Sequence, residues 1–289
     1  MENSYKKVQR ILLGILLANL LVAGLKIFIG SIIKSASMTA DGFHSLSDGS
    51  SNIVGLIGIH FASKPEDESH PYGHNKFETL AALFISFMLF LASGRIILGA
   101  FERFREPIVP EITIESIRVL IFTLVVNILV SLIEYRKGKE LNSQILISDS
   151  MHTRSDIYIS LGVLATLIGI RLGFPPIIDP IVSLLVAAFI IHAGYEIFRE
   201  NSDVLVDGAV VDTQVIKDIV LTFEEVKDVH KIRSRGSINN LHIDLHIEVD
   251  PSLDVEKSHD LVHNIEDAIR EKFNKNSHVI AHVEPHKEK

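Results

Sequence analysis

What most constrains this chain is a succession of apolar stretches long enough to cross a lipid bilayer. A helix needs about 20 predominantly apolar residues to span the hydrocarbon core. Six stretches qualify, at 11–33, 36–62, 79–101, 115–134, 145–171 and 177–198. No water is available at that depth to satisfy a backbone N–H or C=O, so segments of this length and composition must close their hydrogen bonds internally, as helices do. The sequence therefore predicts an all-α membrane domain, a six-helix transmembrane bundle over residues 1–202. Lys6, Lys7 and Arg10 precede the first stretch and no small-residue cleavage site follows it, so it reads as a retained span and not as a secretory signal. Basic residues then orient the bundle. The N-terminus and the 63–78 and 135–144 connections carry eight (Lys6, Lys7, Arg10, Lys64, Lys76, Arg136, Lys137, Lys139), whereas the other connections carry three (Lys34, Arg103, Arg105). This asymmetry predicts a multi-pass protein of the cell membrane with both termini in the cytoplasm.

The rest of the chain is different in kind. Residues 203–289 hold 18 acidic and 11 basic side chains, which accounts for most of the net charge of −8. An acidic surface of this sort disfavours nucleic acid as a partner. A helical period covers 212–224, and strands are predicted over 229–235 and 240–249, the latter alternating apolar and polar residues. A second helix is predicted over 254–273, with Asp254 as its N-cap, and a last strand over 278–284. The order αββαβ suggests a small α+β cytosolic domain with a ferredoxin-like sheet.

The 14 histidines and the absence of cysteine narrow the chemistry. Disulfides, thiolate zinc sites, iron–sulfur clusters and a cysteine nucleophile are excluded, so any transition-metal site must be built from histidine and carboxylate. Ionisable residues inside a bilayer cost a few kcal/mol each and mark functional positions. The second and fifth stretches concentrate them: Asp41, His44 and Asp48 in the one, Asp149, His152, Arg154 and Asp156 in the other. His44/Asp48 and His152/Asp156 each stand one helical turn apart on one face. Packed together, two such helices offer His₂Asp₂, the donor set of a closed tetrahedral zinc site, and the small residues around both pairs would let the helices approach. An interhelical hydrogen bond explains one such pair equally well, but the repetition of order and spacing favours a cation site. The loop after the second stretch places Asp67, His70 and His74 at i, i+3 and i+7, a candidate metal cluster on spacing alone.

These motifs resemble the cation diffusion facilitator family of divalent metal/proton antiporters, in its zinc-transporting type. The resemblance runs from about residue 8 to 285 and rests on His44-Ser-Leu-Ser-Asp48, the His70-Pro-Tyr-Gly-His74-Asn-Lys76-Phe-Glu78 loop, His152-Thr-Arg-Ser-Asp156 and Asp179-Pro180. It implies that His44, Asp48, His152 and Asp156 form the transport site and that Asp67, His70 and His74 hold a second metal. It also implies a two-metal site in the cytosolic domain, at His230, His246, His259 and His282, bridged by Glu284 where relatives often have aspartate. The family is dimeric, so a homodimer is implied too.

The expected function is efflux of a divalent metal cation by proton antiport. Zn²⁺ is the first candidate as cargo and as a structural or regulatory ion, with Co²⁺, Cd²⁺ and Fe²⁺ behind it. Metal binding to the cytosolic domain would regulate or stabilise the dimer. The alternatives are a membrane-anchored metal sensor and a non-transporting partner subunit. An enzyme is not expected, because no His-Glu-x-x-His motif is present and the four donors already close a tetrahedron.

Overall fold

The computed structural model describes residues 2–32, 49–105, 114–175 and 177–287. The chain divides into two compact units, Met1–Asn201 and Ser202–Lys289. The first contains, among the described residues, the helices α1 (Glu2–Ile32), α2 (Ser50–Ala62), α3 (Lys76–Arg105), α4 (Ile114–Leu141), α5 (Gln144–Arg171) and α6 (Ile178–Leu205), the last continuing into the second unit. Three of them are long and apolar enough to cross a membrane, over Tyr5–Leu25, Lys76–Arg105 and Pro180–Leu205. α4 and α5 have 28 residues each, about 42 Å at 1.5 Å per residue, so length suffices. What lowers their apolarity is charge, including Glu134 and Arg136 in α4 and Asp149, Arg154 and Asp156 in α5.

The first unit exposes many large apolar side chains and buries polar ones. Phe84, Phe87 and Leu91 of α3, Phe122 and Leu129 of α4, and Leu185 and Phe189 of α6 are exposed. Asn52, Ser86, Ser93, Ser131, Glu134, Asp149 and Ser150 are buried. Water as solvent would reverse that distribution, whereas hydrocarbon enforces it. Two apolar clusters hold the helices: Val8, Leu12, Ile59, Ala81, Ile145 and Leu146 join α1, α2, α3 and α5, and Leu89, Val186, Ile190 and Ile197 join α3 to α6. α2 and α3 approach so closely that a Cβ at Gly58 would overlap the Ala81 methyl. Glu78, near the start of α3, accepts hydrogen bonds from the Ser143 hydroxyl (2.6 Å) and the Ile145 N–H (3.5 Å). A carboxylate thus caps the positive end of α5 and sets the start of the helix that carries His152.

The second unit contains α7 (Thr213–Val220), β1 (Val226–Ser237), β2 (Asn240–Val249), α8 (Val255–Lys272) and β3 (His278–Pro285). β1 and β2 form an antiparallel pair, and α8 supplies the crossover that lets β3 lie parallel to β2, giving the sheet order β1-β2-β3. Alternation decides the faces. Val229, Leu241, Ile243, Leu245, Ile247 and Val279 point into one core with Ile216 and Val220 of α7 and Leu261, Ile265 and Ile269 of α8. Both helices therefore cover the same face, and the other face carries the polar residues. Asp212 caps α7 through the Gln214 N–H, and Asp254 caps α8 through the Lys257 N–H.

Two outcomes are expected. Gly58→Leu should separate α2 from α3 and lower the melting temperature of the detergent-solubilised protein, by about 1–3 kcal/mol of overpacking. Gly94→Ala, where nothing lies within 4 Å of the added Cβ, should leave it unchanged. The Asp254 carboxyl is held below the usual carboxylate range, first by the Lys257 backbone N–H and then by the Lys257 side chain. A depressed folded-state pKa means that the cap contributes fully above about pH 4 and fades as pH falls through the folded value. Asp254→Asn should therefore flatten the acid side of the stability curve of the second unit, followed by circular dichroism.

Candidate metal centres

In the first unit the site is built on α5. His152 and Asp156 stand one turn apart, His152 buried and Asp156 half-buried. Neither ring nitrogen of His152 has a hydrogen-bond partner among the described residues. A buried imidazole with both nitrogens open is a poor structural element and a ready ligand. One turn earlier Asp149 is fully buried and accepts from the Asn52 amide, whose oxygen in turn accepts from Asn19 (2.9 Å). Glu134 of α4, also fully buried, accepts from Thr153 Oγ1 at 3.0 Å. A polar chain thus runs through α1, α2, α4 and α5 beside His152. His44 and Asp48, the other half of the expected transport site, and Asp41 lie outside the described residues.

The loop between α2 and α3 brings Asp67, His70 and His74 together, with one donor atom from each within 4.8 Å of the others. Asp67 Oδ1 lies 3.1 Å from His70 Nδ1, and Asp67 Oδ2 lies 3.4 Å from His74 Nε2. His74 Nδ1 lies 3.0 Å from the Pro65 carbonyl. A carbonyl can only accept, so this nitrogen donates, and Nε2 is the ring atom turned toward Asp67. Desolvation pushes the Asp67 carboxyl up, but the His70 backbone and side-chain hydrogen bonds, then the charges of His70 and His74, outweigh it and hold the group below its usual range. Asp67 is therefore an anionic donor at neutral pH.

On the open face of the sheet, register arranges the donors in rungs. His230, His246 and His282 stand side by side across the three strands, and the next rung is Asp228, Glu248 and Glu284. At this point of the sheet each strand supplies a histidine and a carboxylate two residues apart. His230, His246 and Glu284 bring their donor atoms within 4.8 Å of one another. Glu284 lies 2.7 Å from His246 Nδ1, 3.3 Å from His230 Nε2 and 3.6 Å from His282 Nε2. Its carboxyl is held low, first by the His246 hydrogen bond and then by the charges of His246, His230 and Lys231. Two imidazoles and an ionised carboxylate suit a zinc-class ion. His259 does not join them within the chain. It sits on α8, which packs its apolar stripe on the opposite face of the sheet, and its Nε2 lies 3.1 Å from that of His263.

Residues 12–206 match the family model described as the cation efflux transmembrane domain, and residues 210–286 match the cation efflux protein cytoplasmic domain. The chain belongs to the cation efflux, or cation diffusion facilitator, family. It is 35% identical over 262 residues to an uncharacterised transporter of Methanocaldococcus jannaschii, covering 89% of this chain and 91% of that protein. A manganese efflux system protein of Bacillus subtilis is 29% identical over 292 residues, with 96% of each chain covered. Metal tolerance protein 2 of Oryza sativa subsp. japonica is 32% identical over 284 residues, 88% of this chain and 72% of its own. As a family member the protein is a divalent cation efflux transporter, a helical transmembrane domain followed by a cytoplasmic domain with a small mixed sheet.

Asp228 and Glu248 are not among the donors expected from sequence, and neither is His286, whose Nδ1 lies 2.7 Å from Glu248. The signal was present in Asp228-Val-His230, His246-Ile-Glu248 and His282-Val-Glu284, but only strand register makes neighbours of the three. For the loop, His74→Ala and Asp67→Asn should each remove one zinc equivalent per chain in equilibrium dialysis. An unchanged count in both variants would exclude the loop as a site.

Proposed function

We propose that the protein exports a zinc-class divalent cation from the cytoplasm in exchange for protons. The site is His44, Asp48, His152 and Asp156, within a six-span bundle of a cell-membrane homodimer whose termini are both cytoplasmic. The observation that carries this reading is His152, buried in a membrane helix with both ring nitrogens open among the described residues. Ligands must shed their protons to bind a cation, so cation and proton compete for the same atoms. An imidazole, with a reference pKa near 6.5, makes that exchange at physiological pH. Proton entry from outside then displaces the cation outward. The C-terminal unit, a ferredoxin-like domain in this reading, binds cation at His230, His246 and Glu284 and so lets two acidic domains approach in the dimer.

The manganese efflux protein of Bacillus subtilis supports a second reading, in which manganese is the cargo. Donor chemistry favours zinc, because manganese prefers sites richer in oxygen than His₂Asp₂.

In proteoliposomes with an outward proton gradient, zinc should accumulate while the lumen becomes less acidic. His152→Ala should slow uptake by roughly 100-fold, as large as the loss of an outer-shell partner in metal sites. His152→Asp should shift the preference toward manganese. Zinc binding without zinc or manganese movement by the wild-type chain would replace this reading with a sensor or a non-transporting partner subunit.

A further inference from the structure

The ring of His230 is flanked by carboxylates on both sides. Its Nε2 faces Glu284 at 3.3 Å. Its Nδ1 faces Asp228 at 3.6 Å and Glu248 at 3.8 Å. The latter two separations are too long for hydrogen bonds, yet Asp228, His230 and Glu248 bring their donor atoms within 4.8 Å of one another. An ion with bonds of about 2.1–2.5 Å holds neighbouring donors about 3–3.5 Å apart, so His230 Nδ1 stands within a few tenths of an ångström of that spacing from each carboxylate. Glu248 is steadied from its far oxygen by His286 Nδ1 at 2.7 Å.

The backbone is shaped around this point. The β1–β2 register shifts between Val226 and Asp228 and again between His230 and Arg233, and Lys231 has φ 50. Bulges re-aim side chains and are concentrated beside functional sites. Here they bracket Asp228-Val-His230, so both donors meet Glu248 on the open face.

We infer that the sheet carries a second, oxygen-rich cation pocket, formed by Asp228, Glu248 and the Nδ1 edge of His230, for a harder divalent cation of the manganese type. Two carboxylates and one imidazole suit such an ion, as the two imidazoles and one carboxylate of the neighbouring pocket suit zinc. A neutral imidazole has one lone pair. His230 therefore serves one pocket at a time, and its tautomer records which class of cation is bound: Nε2 for the zinc-class pocket, Nδ1 for the oxygen-rich one. The cytoplasmic domain becomes a discriminator between two cations, built on one ring.

The inference rests on the proposed cytosolic cation binding but not on the transport site. The test uses the full-length protein in detergent, counting bound Mn²⁺ from the loss of the free-ion electron paramagnetic resonance signal and Zn²⁺ by equilibrium dialysis. Glu248→Gln should remove one Mn²⁺ per chain and keep the Zn²⁺ count, and His246→Gln should do the reverse. In the wild type, zinc should release the sheet manganese one for one. Asp228→Asn, a change on the open face, should repeat the Glu248→Gln result and decides the matter if that variant does not fold. A full Mn²⁺ count in Glu248→Gln and Asp228→Asn overturns the inference, as does an equal loss of both ions in every variant. Undiminished transport in His152→Ala, with the opposite losses in Glu248→Gln and His246→Gln still seen, would remove the transport site and leave this inference standing, so the two readings fail separately.

Discussion

Hydrocarbon cannot solvate a polar group, and the first unit is arranged around that fact. Many of its large apolar side chains face outward, and Asn52, Ser86, Ser131, Glu134 and Asp149 turn in. Every charged side chain retained in α4 and α5 must then find an internal partner or an internal role. Asn19, Asn52 and Asp149 answer this by forming a hydrogen-bonded chain, and Glu134 by pairing with Thr153. His152 does neither among the described residues: both of its ring nitrogens are open, whereas Asp149 and Glu134 each have one oxygen engaged.

In the second unit the solvent is water and a different rule operates. One face of the three-stranded sheet is buried under α7 and α8, so period-two alternation sends every other side chain to the open face. Pairing then aligns histidine with histidine and carboxylate with carboxylate across the strands. The two rungs lie one residue pair apart, close enough for a single imidazole to stand between carboxylates from different strands. The grouping of donors in this unit follows from strand register, as that of the membrane unit follows from helix periodicity.

Much of this is legible in the sequence itself. Apolar length and the i, i+4 spacing of His152 and Asp156 are local properties of one helix, and the Asp67–His70–His74 cluster closes within eight residues of chain. Helix boundaries were less legible where they depend on contacts. The Ser143 turn and the Glu78 cap, 65 residues apart in sequence, define the start of α5. The short αββαβ unit could be read from alternation and the Asp254 cap, since both act over a few residues.

Side-chain type and local spacing thus determined by themselves that the chain is a membrane protein with histidine–carboxylate chemistry, because bilayer thickness, helical pitch and strand pleat act within a single element. Which donors meet across elements was decided by tertiary structure alone. His230, His246 and Glu284 come together, and Asp228 and Glu248 join them, because β3 returns parallel to β2 and bulges turn β1 at His230. His259 stays apart because an amphipathic helix must place its apolar stripe on the apolar face of the sheet, and the histidine rides on the other side.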